Sequence, residues 1–357
     1  MSAPPPGAQR HAGGALTPAG ADEEPLEEAD LDLVAALQVS PRASLAVLGD
    51  VLHASPTTVG RRIARLQARG LLRVVGQVDW SLISSSHPHH VWVTTAPGAA
   101  RDVGERLARL PEAQFAALTT GRSDVHLTVQ ARSRREAGHL LTETVPRTAG
   151  VVATHSELVL RARSKADEWR LPRLGADQVA ALRAEVVDAD GPLRALGPLE
   201  RSAVRLLHVD ARLSTAEVSR ALSVSRSTAH RTVTGLLRRG AVRPRVEVEP
   251  SALGFALEVI VALQVRPGST AAVTDALARH RSARYVSVVA GSSSVIHQGV
   301  FRHEEDLASF LEEELSELPG IGDVVVSVVV DVLQRYWTPR RDGRITGTSR
   351  ALDWLDS

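Results

Sequence analysis

Apolar residues recur at helical spacing in two stretches that lie 170 residues apart. In residues 55–70, SPTTVGRRIARLQARG, Val59, Ile63 and Leu66 share one face; in residues 225–240, SRSTAHRTVTGLLRRG, Ala229, Val233 and Leu236 do the same. Six of the sixteen positions are identical: Ser55/Ser225, Thr58/Thr228, Arg61/Arg231, Leu66/Leu236, Arg69/Arg239 and Gly70/Gly240. Each stretch opens on a serine able to accept hydrogen bonds from the free amides of a helix start. Each closes on a glycine suited to the left-handed turn after a helix. Both are expected to be capped helices with one apolar face and one face of hydroxyls and arginines.

Upstream of the first stretch, Leu31, Val34 and Leu37 predict a short amphipathic helix beginning at Asp30, which Pro41 ends. Ser44 caps a second helix over 45–52, and His53-Ala54 turns the chain into the third. Two helices at a short turn, the second basic on its outer face, predict a helix-turn-helix. Residues 71–78 look extended, as a wing, and the serine-rich 80–88 as a hinge. Strand and helix signals then alternate: strand 90–95, helix from Pro97-Gly98 to 110, strand 114–120, tight turn 121–124, strand 125–131, helix 133–145 and strand 151–160. This βαββαβ order predicts a ferredoxin-like unit, whose open sheet face a second copy would cover. That copy is in the chain. At the same offset Pro97-Gly98 falls on Pro267-Gly268, Gly121 on Gly291 and Gly150 on Gly320.

The expected fold is therefore α+β, with two winged helix-turn-helix domains each followed by a ferredoxin-like βαββαβ domain. Residues 1–29 are a disordered tail, 30–82 and 200–252 the helix-turn-helix domains, and 88–166 and 255–337 the ferredoxin-like domains. Residues 167–199 are a linker, with a helix possible over 177–187, and 338–357 an unpatterned, arginine-rich tail.

Charge narrows the function. The formal net charge of the 357 residues is +1, so attraction to nucleic acid has to come from local patches. Residues 55–75 carry Arg61, Arg62, Arg65, Arg69 and Arg73 without an acid, and 225–245 carry Arg226, Arg231, Arg238, Arg239, Arg243 and Arg245 without one. A recognition helix reads base edges near its N-terminus. The DNA-facing set is Ser55, Pro56, Thr57, Thr58 and Arg61 in one copy and Ser225, Arg226, Ser227, Thr228, His230 and Arg231 in the other. Arg62, Arg65, Arg69, Arg238 and Arg239 are assigned to phosphates. The plain alternative is a solvated helix face. The outward residues differ between copies (Pro56/Arg226, Gly60/His230, Arg62/Thr232), so an imperfect inverted repeat is the expected target.

No cysteine is present, which excludes disulfides, thiolate metal sites and cysteine nucleophiles. His87, His89 and His90 read as exposed histidines beside a strand start, and no metal site is assigned. Trp80, Trp92 and Trp337 read as core or interface anchors. There is no phosphate-cradling glycine loop, nucleophile elbow or convincing acid/base pair, so no catalytic residue and no cofactor is assigned. No apolar run reaches the roughly 20 residues of a membrane span, and 1–29 lacks the features of a secretory signal; a cytoplasmic protein without membrane partners is expected.

The helix-turn-helix ending SPTTVGRRIARLQARGLL, the βαββαβ unit and the turn GRSD at 121–124, in that order and twice over, resemble the leucine-responsive/asparagine-operon (Lrp/AsnC) family of bacterial transcription regulators. The resemblance implies a DNA reader joined to a ligand-sensing, oligomerising domain, with effectors, often amino acids, bound near the turn between the second and third sensor strands. On that basis Gly121, Arg122, Ser123 and Asp124 form one effector turn and Gly291, Ser292, Ser293 and Ser294 the other. Without the resemblance these are ordinary hairpin turns. Asp124 could meet a ligand ammonium and Ser294 could not, so the first copy is expected to keep the better effector site. Fusion of two modules implies an internal pseudo-dimer, with higher assembly expected. Two rivals stand beside this reading: a haem-pathway decarboxylase of the same two-domain form, using His126 and His297, and a sensor that no longer reads DNA.

Overall fold

The computed structural model describes residues 26–164 and 168–348. The expected N-terminal tail falls largely outside the described residues. Order starts slightly earlier than the sequence suggests, with Leu26 packed into the first core. The first three helices are α1 (Glu28–Val39), α2 (Leu45–Leu52) and α3 (Pro56–Ala68), followed by strand β1 (Leu72–Val78). Next come β2 (His89–Thr95), α4 (Ala100–Ala108), β3 (Ala113–Thr119), β4 (Val125–Val129), α5 (Arg134–His139) and β5 (Val151–Ser164). After α6 (Ala176–Arg183) the series repeats: α7 (Pro198–Val209), α8 (Thr215–Leu222), α9 (Arg226–Arg238), β6 (Val242–Val248), β7 (Leu257–Val265), α10 (Thr270–Arg279), β8 (Ala283–Ala290), β9 (Val295–Phe301), α11 (Glu304–Ser309) and β10 (Ile321–Arg335). Two short strands follow, β11 (Thr338–Arg341) and β12 (Arg344–Ile345).

The copies are woven together at two places. Strands β1 and β6 pair antiparallel as a two-stranded ribbon, Leu72 opposite Val248 and Val78 opposite Val242, with Val75 facing its own equivalent, Arg245. This register makes the ribbon a local twofold axis relating the two helix triplets. The ribbon also exchanges side chains. Val248 completes the core of α1–α3, while Val75 and Val78 join that of α7–α9. Gly76 permits the crossing, since a β-carbon there would lie 2.6 Å from the Leu207 carbonyl oxygen of α7. The second place of contact is a closed sheet with two equivalent seams: β10 pairs with β3 as well as β7, and β5 with β8 as well as β2. The strands β3-β4-β2-β5-β8-β9-β7-β10 therefore close on themselves, all antiparallel. Closure leaves no free edge among these strands. The inner seam takes Trp92, Phe115 and Val159 from one copy and Ile260, Val289 and Ile296 from the other, while α4 and α10 cover outer faces.

Three sequence expectations are corrected. The 80–88 hinge is fastened: Ser84 Oγ donates to the Ala131 carbonyl at 2.6 Å and the Ser85 amide to Arg132 at 2.9 Å. Within the histidine cluster, His90 is fully buried between Thr128 and Ser287, each 3.3 Å from a ring nitrogen, and His87 Nδ1 donates to the Val159 carbonyl at 3.0 Å. The segments read as linker and tail are structural. In α6, Leu182 is buried and Gln178 Nε2 donates to the Val51 carbonyl at 2.8 Å; β11 and β12 extend the β10 edge, and the Ile345 amide donates to Gly70 at 2.8 Å.

Burial of three histidines predicts a stability that falls in acid. It lowers the pKa of His90 and His208 to about 4 and of His297 to about 3. Each folded value lies below the ordinary one near 6.5, so as pH falls the unfolded chain takes up protons first. The contribution is complete above about pH 6.5 and is lost towards pH 4, at roughly 1.4 kcal/mol per pH unit per ring. Thermal melts are expected to show a falling midpoint from pH 6.5 downward; a flat profile to pH 4.5 contradicts this.

Candidate DNA interface and effector turns

Both helix pairs are built from the same local signals. Ser44 caps α2 by accepting from the Val47 amide at 3.2 Å, His53 ends it at φ 53°, and Ser55 caps α3 by accepting from the Thr58 amide at 3.1 Å. In the second copy Ser214, Ser223 (φ 53°) and Ser225 do the same, with Ser225 accepting from the Thr228 amide at 3.1 Å. Ser55 and Ser225 are thus occupied as caps, and the half-buried Thr58 and Thr228 place their hydroxyls 2.8 and 2.9 Å from them. Val59, Ile63 and Leu66, like Ala229, Val233 and Leu236, point into the cores. This leaves Pro56, Thr57, Arg61 and Arg65 exposed on α3, and Arg226, Ser227, His230, Arg231 and Arg238 exposed on α9. Thr57/Arg61 and Ser227/Arg231 are equivalent pairs, set by the β1/β6 ribbon on either side of its twofold.

Arg62 and Arg65, expected to meet phosphates, also bind a carboxylate of their own core. Asp30 is buried in the first core, and Arg62 Nη1 and Arg65 Nη2 bind its two oxygens at 2.9 and 2.5 Å. A buried carboxylate has to be paired, which commits these arginines. Arg239 likewise binds Glu200 at 2.7 Å.

The two turns meet at the barrel seam. Arg122 Nη2 donates to Ser292 Oγ at 2.7 Å, with its guanidinium 6.0 Å from the Trp92 ring centre. Glu157 of β5 fills the second turn. Its Oε1 accepts from the Ser293 amide at 2.9 Å and Ser292 Oγ at 3.0 Å, and its Oε2 from Trp92 Nε1 at 3.2 Å. Burial pushes this carboxyl's pKa up, but the bonds from Ser293, Trp92 and Ser292 outweigh it and hold the group below its ordinary range. At the first turn the equivalent of Glu157 is Ser327. There Ser327 Oγ and Ser123 Oγ are buried without a hydrogen-bond partner, close to Gly121. Asp124 faces inward: its Oδ2 accepts from the Thr95 amide at 2.7 Å and Thr95 Oγ1 at 3.0 Å, the role Ser294 Oγ plays for the Val265 amide at 3.1 Å. Asp124 and Ser294 thus tie equivalent turns through the equivalent residues Thr95 and Val265, one with a carboxylate and one with a hydroxyl.

Residues 90–168 and 258–336 both match the Lrp/AsnC ligand binding domain, and 26–67 match the AsnC-type helix-turn-helix domain. The chain belongs to the Lrp/AsnC family. Among curated relatives it is 27% identical over 138 residues to an uncharacterised HTH-type transcriptional regulator of Pyrococcus abyssi, covering 38% of this chain and 87% of that protein. It is 25% identical over 143 residues to the HTH-type transcriptional regulator AldR of Mycobacterium tuberculosis, covering 39% and 80%. Each match has the length of one module. A likeness along nearly the whole chain is to the crystal structure of the siroheme decarboxylase NirDL, with a TM-score of 0.58 over 92% of this chain and 97% of that one, at 12% identity. At that identity the likeness concerns the fold.

Within this Lrp/AsnC chain, the sequence reading missed Glu157 and its neighbour His155, whose Nε2 lies 2.9 Å from Ser292 Oγ. One signal was available: at the 170-residue offset a glutamate in one copy meets a serine in the other. His126 and His297 do not form a matched pair. The offset aligns His126 with Ile296, and both rings are fully buried and held neutral by burial, which lowers their pKa. Gly291 is required beside Glu157, since a β-carbon there would lie 2.6 Å from Glu157 Cγ. Gly291→Ala is expected to cost about 1–3 kcal/mol, read as a lower chemical-denaturation midpoint. An unchanged midpoint would show that Glu157 does not pack against this turn.

Proposed function

We propose that the chain is a sequence-specific DNA-binding transcriptional regulator of the cytoplasm, not an enzyme, in which one polypeptide carries two winged helix-turn-helix readers on two ferredoxin-like sensors. The observation that carries this is the pair of outward faces, Thr57/Arg61 and Ser227/Arg231, disposed about the ribbon twofold. The unlike neighbours Arg226, His230 and Arg238 give the second reader its own half-site preference. No described helix is long and apolar enough to cross a membrane. A small effector, of amino-acid kind, is assigned to the first turn, where Ser123 and Ser327 have unused hydroxyls; in the second turn Glu157 takes the polar groups a ligand carboxylate would use. Effector binding would favour one arrangement of the sensors and so one spacing of the readers. Footprinting upstream of the protein's own gene at moderate salt is expected to show a protected inverted repeat, its halves about one helical turn apart. Absence of protection there and across a genome-wide binding map would refute the reading.

The whole-chain likeness to NirDL supports a second reading, a tetrapyrrole decarboxylase. Titration with an iron uroporphyrin, followed by visible absorption, separates the two: the regulator reading expects no saturable spectral change.

A further inference from the structure

Seven charged side chains are buried together beside the ribbon. Arg340 lies 2.7 Å from Glu247 and 2.6 Å from Glu249; Arg335 lies 2.8 Å from Glu258 and 3.6 Å from Glu249; Arg245 pairs with Glu247. The seventh, Arg284 near the start of β8, is 4% exposed and makes no ion pair among the described residues. Four arginines thus face three carboxylates, leaving one positive charge over. Arg284 Nε and Nη1 are buried without a hydrogen-bond partner, and the guanidinium lies 5.1 Å from the Trp169 ring centre. Burial, with Arg335 nearby, pulls its pKa down to about 10, so it stays charged at neutral pH. Glu258, Glu247 and Glu249 act on it only from beyond ion-pair distance; a buried guanidinium with no carboxylate bonded to it is costly, and a carboxylate is the partner that its planar fork fits best.

Such a partner has room. Arg284 and Trp169 line a cavity of about 400 Å3 between the end of α1, residues 185–189 and the ribbon, with Val39, Val187, Leu237 and Val246 as apolar walls. The volume is in the range of small-molecule sites. The charged lining is net positive, with Arg42, Arg170, Arg243 and Arg245 beside Arg284 against Glu185 and Asp188, so an anion is favoured, and the apolar walls favour one with an organic body over phosphate. We propose that it binds a small organic monocarboxylate, with its carboxylate on Arg284 and its apolar body against Trp169 and the valine walls. This site is separate from both sensor turns: Arg284 and residues 291–294 lie towards opposite ends of β8. It stands whether or not the chain binds DNA.

The test uses the full chain and three probes: 4-methylpentanoate, its neutral amide, and inorganic phosphate. Calorimetry and thermal shift are expected to show one saturable site for the carboxylate and binding about tenfold or more weaker for the other two. Arg284→Gln should weaken carboxylate binding about tenfold or more without lowering the ligand-free melting temperature, because the first copy holds glutamine, Gln114, at the equivalent position. Val187→Trp, at a 41% exposed position on the cavity wall, should block binding in a normally folded protein. No carboxylate binding at roughly millimolar concentration overturns the proposal. So does equal binding of the amide or phosphate, binding retained in Arg284→Gln, or a destabilised Arg284→Gln, which would make Arg284 a member of the ion network only.

Discussion

Arg61→Ala and Arg231→Ala together are expected to weaken operator binding by roughly two to three orders of magnitude, taking about 1–3 kcal/mol for each lost base contact. Both side chains are exposed and make no ion pair among the described residues, so melting temperature should stay within about 0.5 kcal/mol equivalents of the parent. Each single variant should relax preference at one half-site and leave the other intact, since the two readers present different neighbours. Arg62→Ala is the informative contrast. Arg62 shares the buried Asp30 with Arg65, so its removal should lower stability while leaving base preference unchanged. If Arg61→Ala and Arg231→Ala bind as the parent does, the chain is a sensor that does not read DNA through these helices.

Arg340→Met is expected to be among the most destabilising single substitutions in the chain, at about 3–5 kcal/mol. Arg340 and Glu247 have no exposed side-chain surface, and Arg340 is the closest cation to both Glu247 Oε2 and Glu249 Oε1. Removing it leaves Glu247 with Arg245 alone and Glu249 with only the longer 3.6 Å contact to Arg335, both in a buried site. Adding Glu247→Gln should recover part of the loss, which a cavity effect alone would not allow. Acid acts on the same cluster. Burial raises the Glu249 pKa, but Arg340, Arg335 and Arg284 outweigh it and hold the group below its ordinary value near 4.5. Its contribution to stability is therefore present above that value and is lost as pH falls through the lower folded one. Urea denaturation midpoints of the single and double variants at neutral pH test the account. A change under about 1 kcal/mol for Arg340→Met would contradict it.

The parts of this fold written in the sequence are those with local causes. Serine caps, the apolar spacing of Val59, Ile63 and Leu66, and the constant offset between copies located the helices, most strands and both turns. The parts that escaped depend on partners far along the chain. Nothing in Leu72–Val78 announces that it pairs with Val242–Val248, because register between distant strands leaves no periodic trace. The segment after Trp337 looked like a basic tail because Arg340 is apolar in neither composition nor pattern; only the glutamates of β6 make its burial sensible. In the candidate site the same division holds. Thr57, Arg61, Ser227 and Arg231 were legible as an outward face. The ion pairs of Arg62 and Arg65 with Asp30 and the bonds of Asp124 to Thr95 were not legible, since a charged side chain on a helix or turn looks the same in sequence whether it meets solvent, a ligand or a buried group of the same chain.

The central claim, one chain with two unlike readers about a twofold, is tested most directly by selecting bound duplexes from a random DNA pool with the full-length protein. The account predicts enrichment of an imperfect inverted repeat whose two halves differ, with the preference at one half removed by Arg61→Ala and at the other by Arg231→Ala. No enrichment, or a perfectly symmetric repeat unaffected by either substitution, would contradict it.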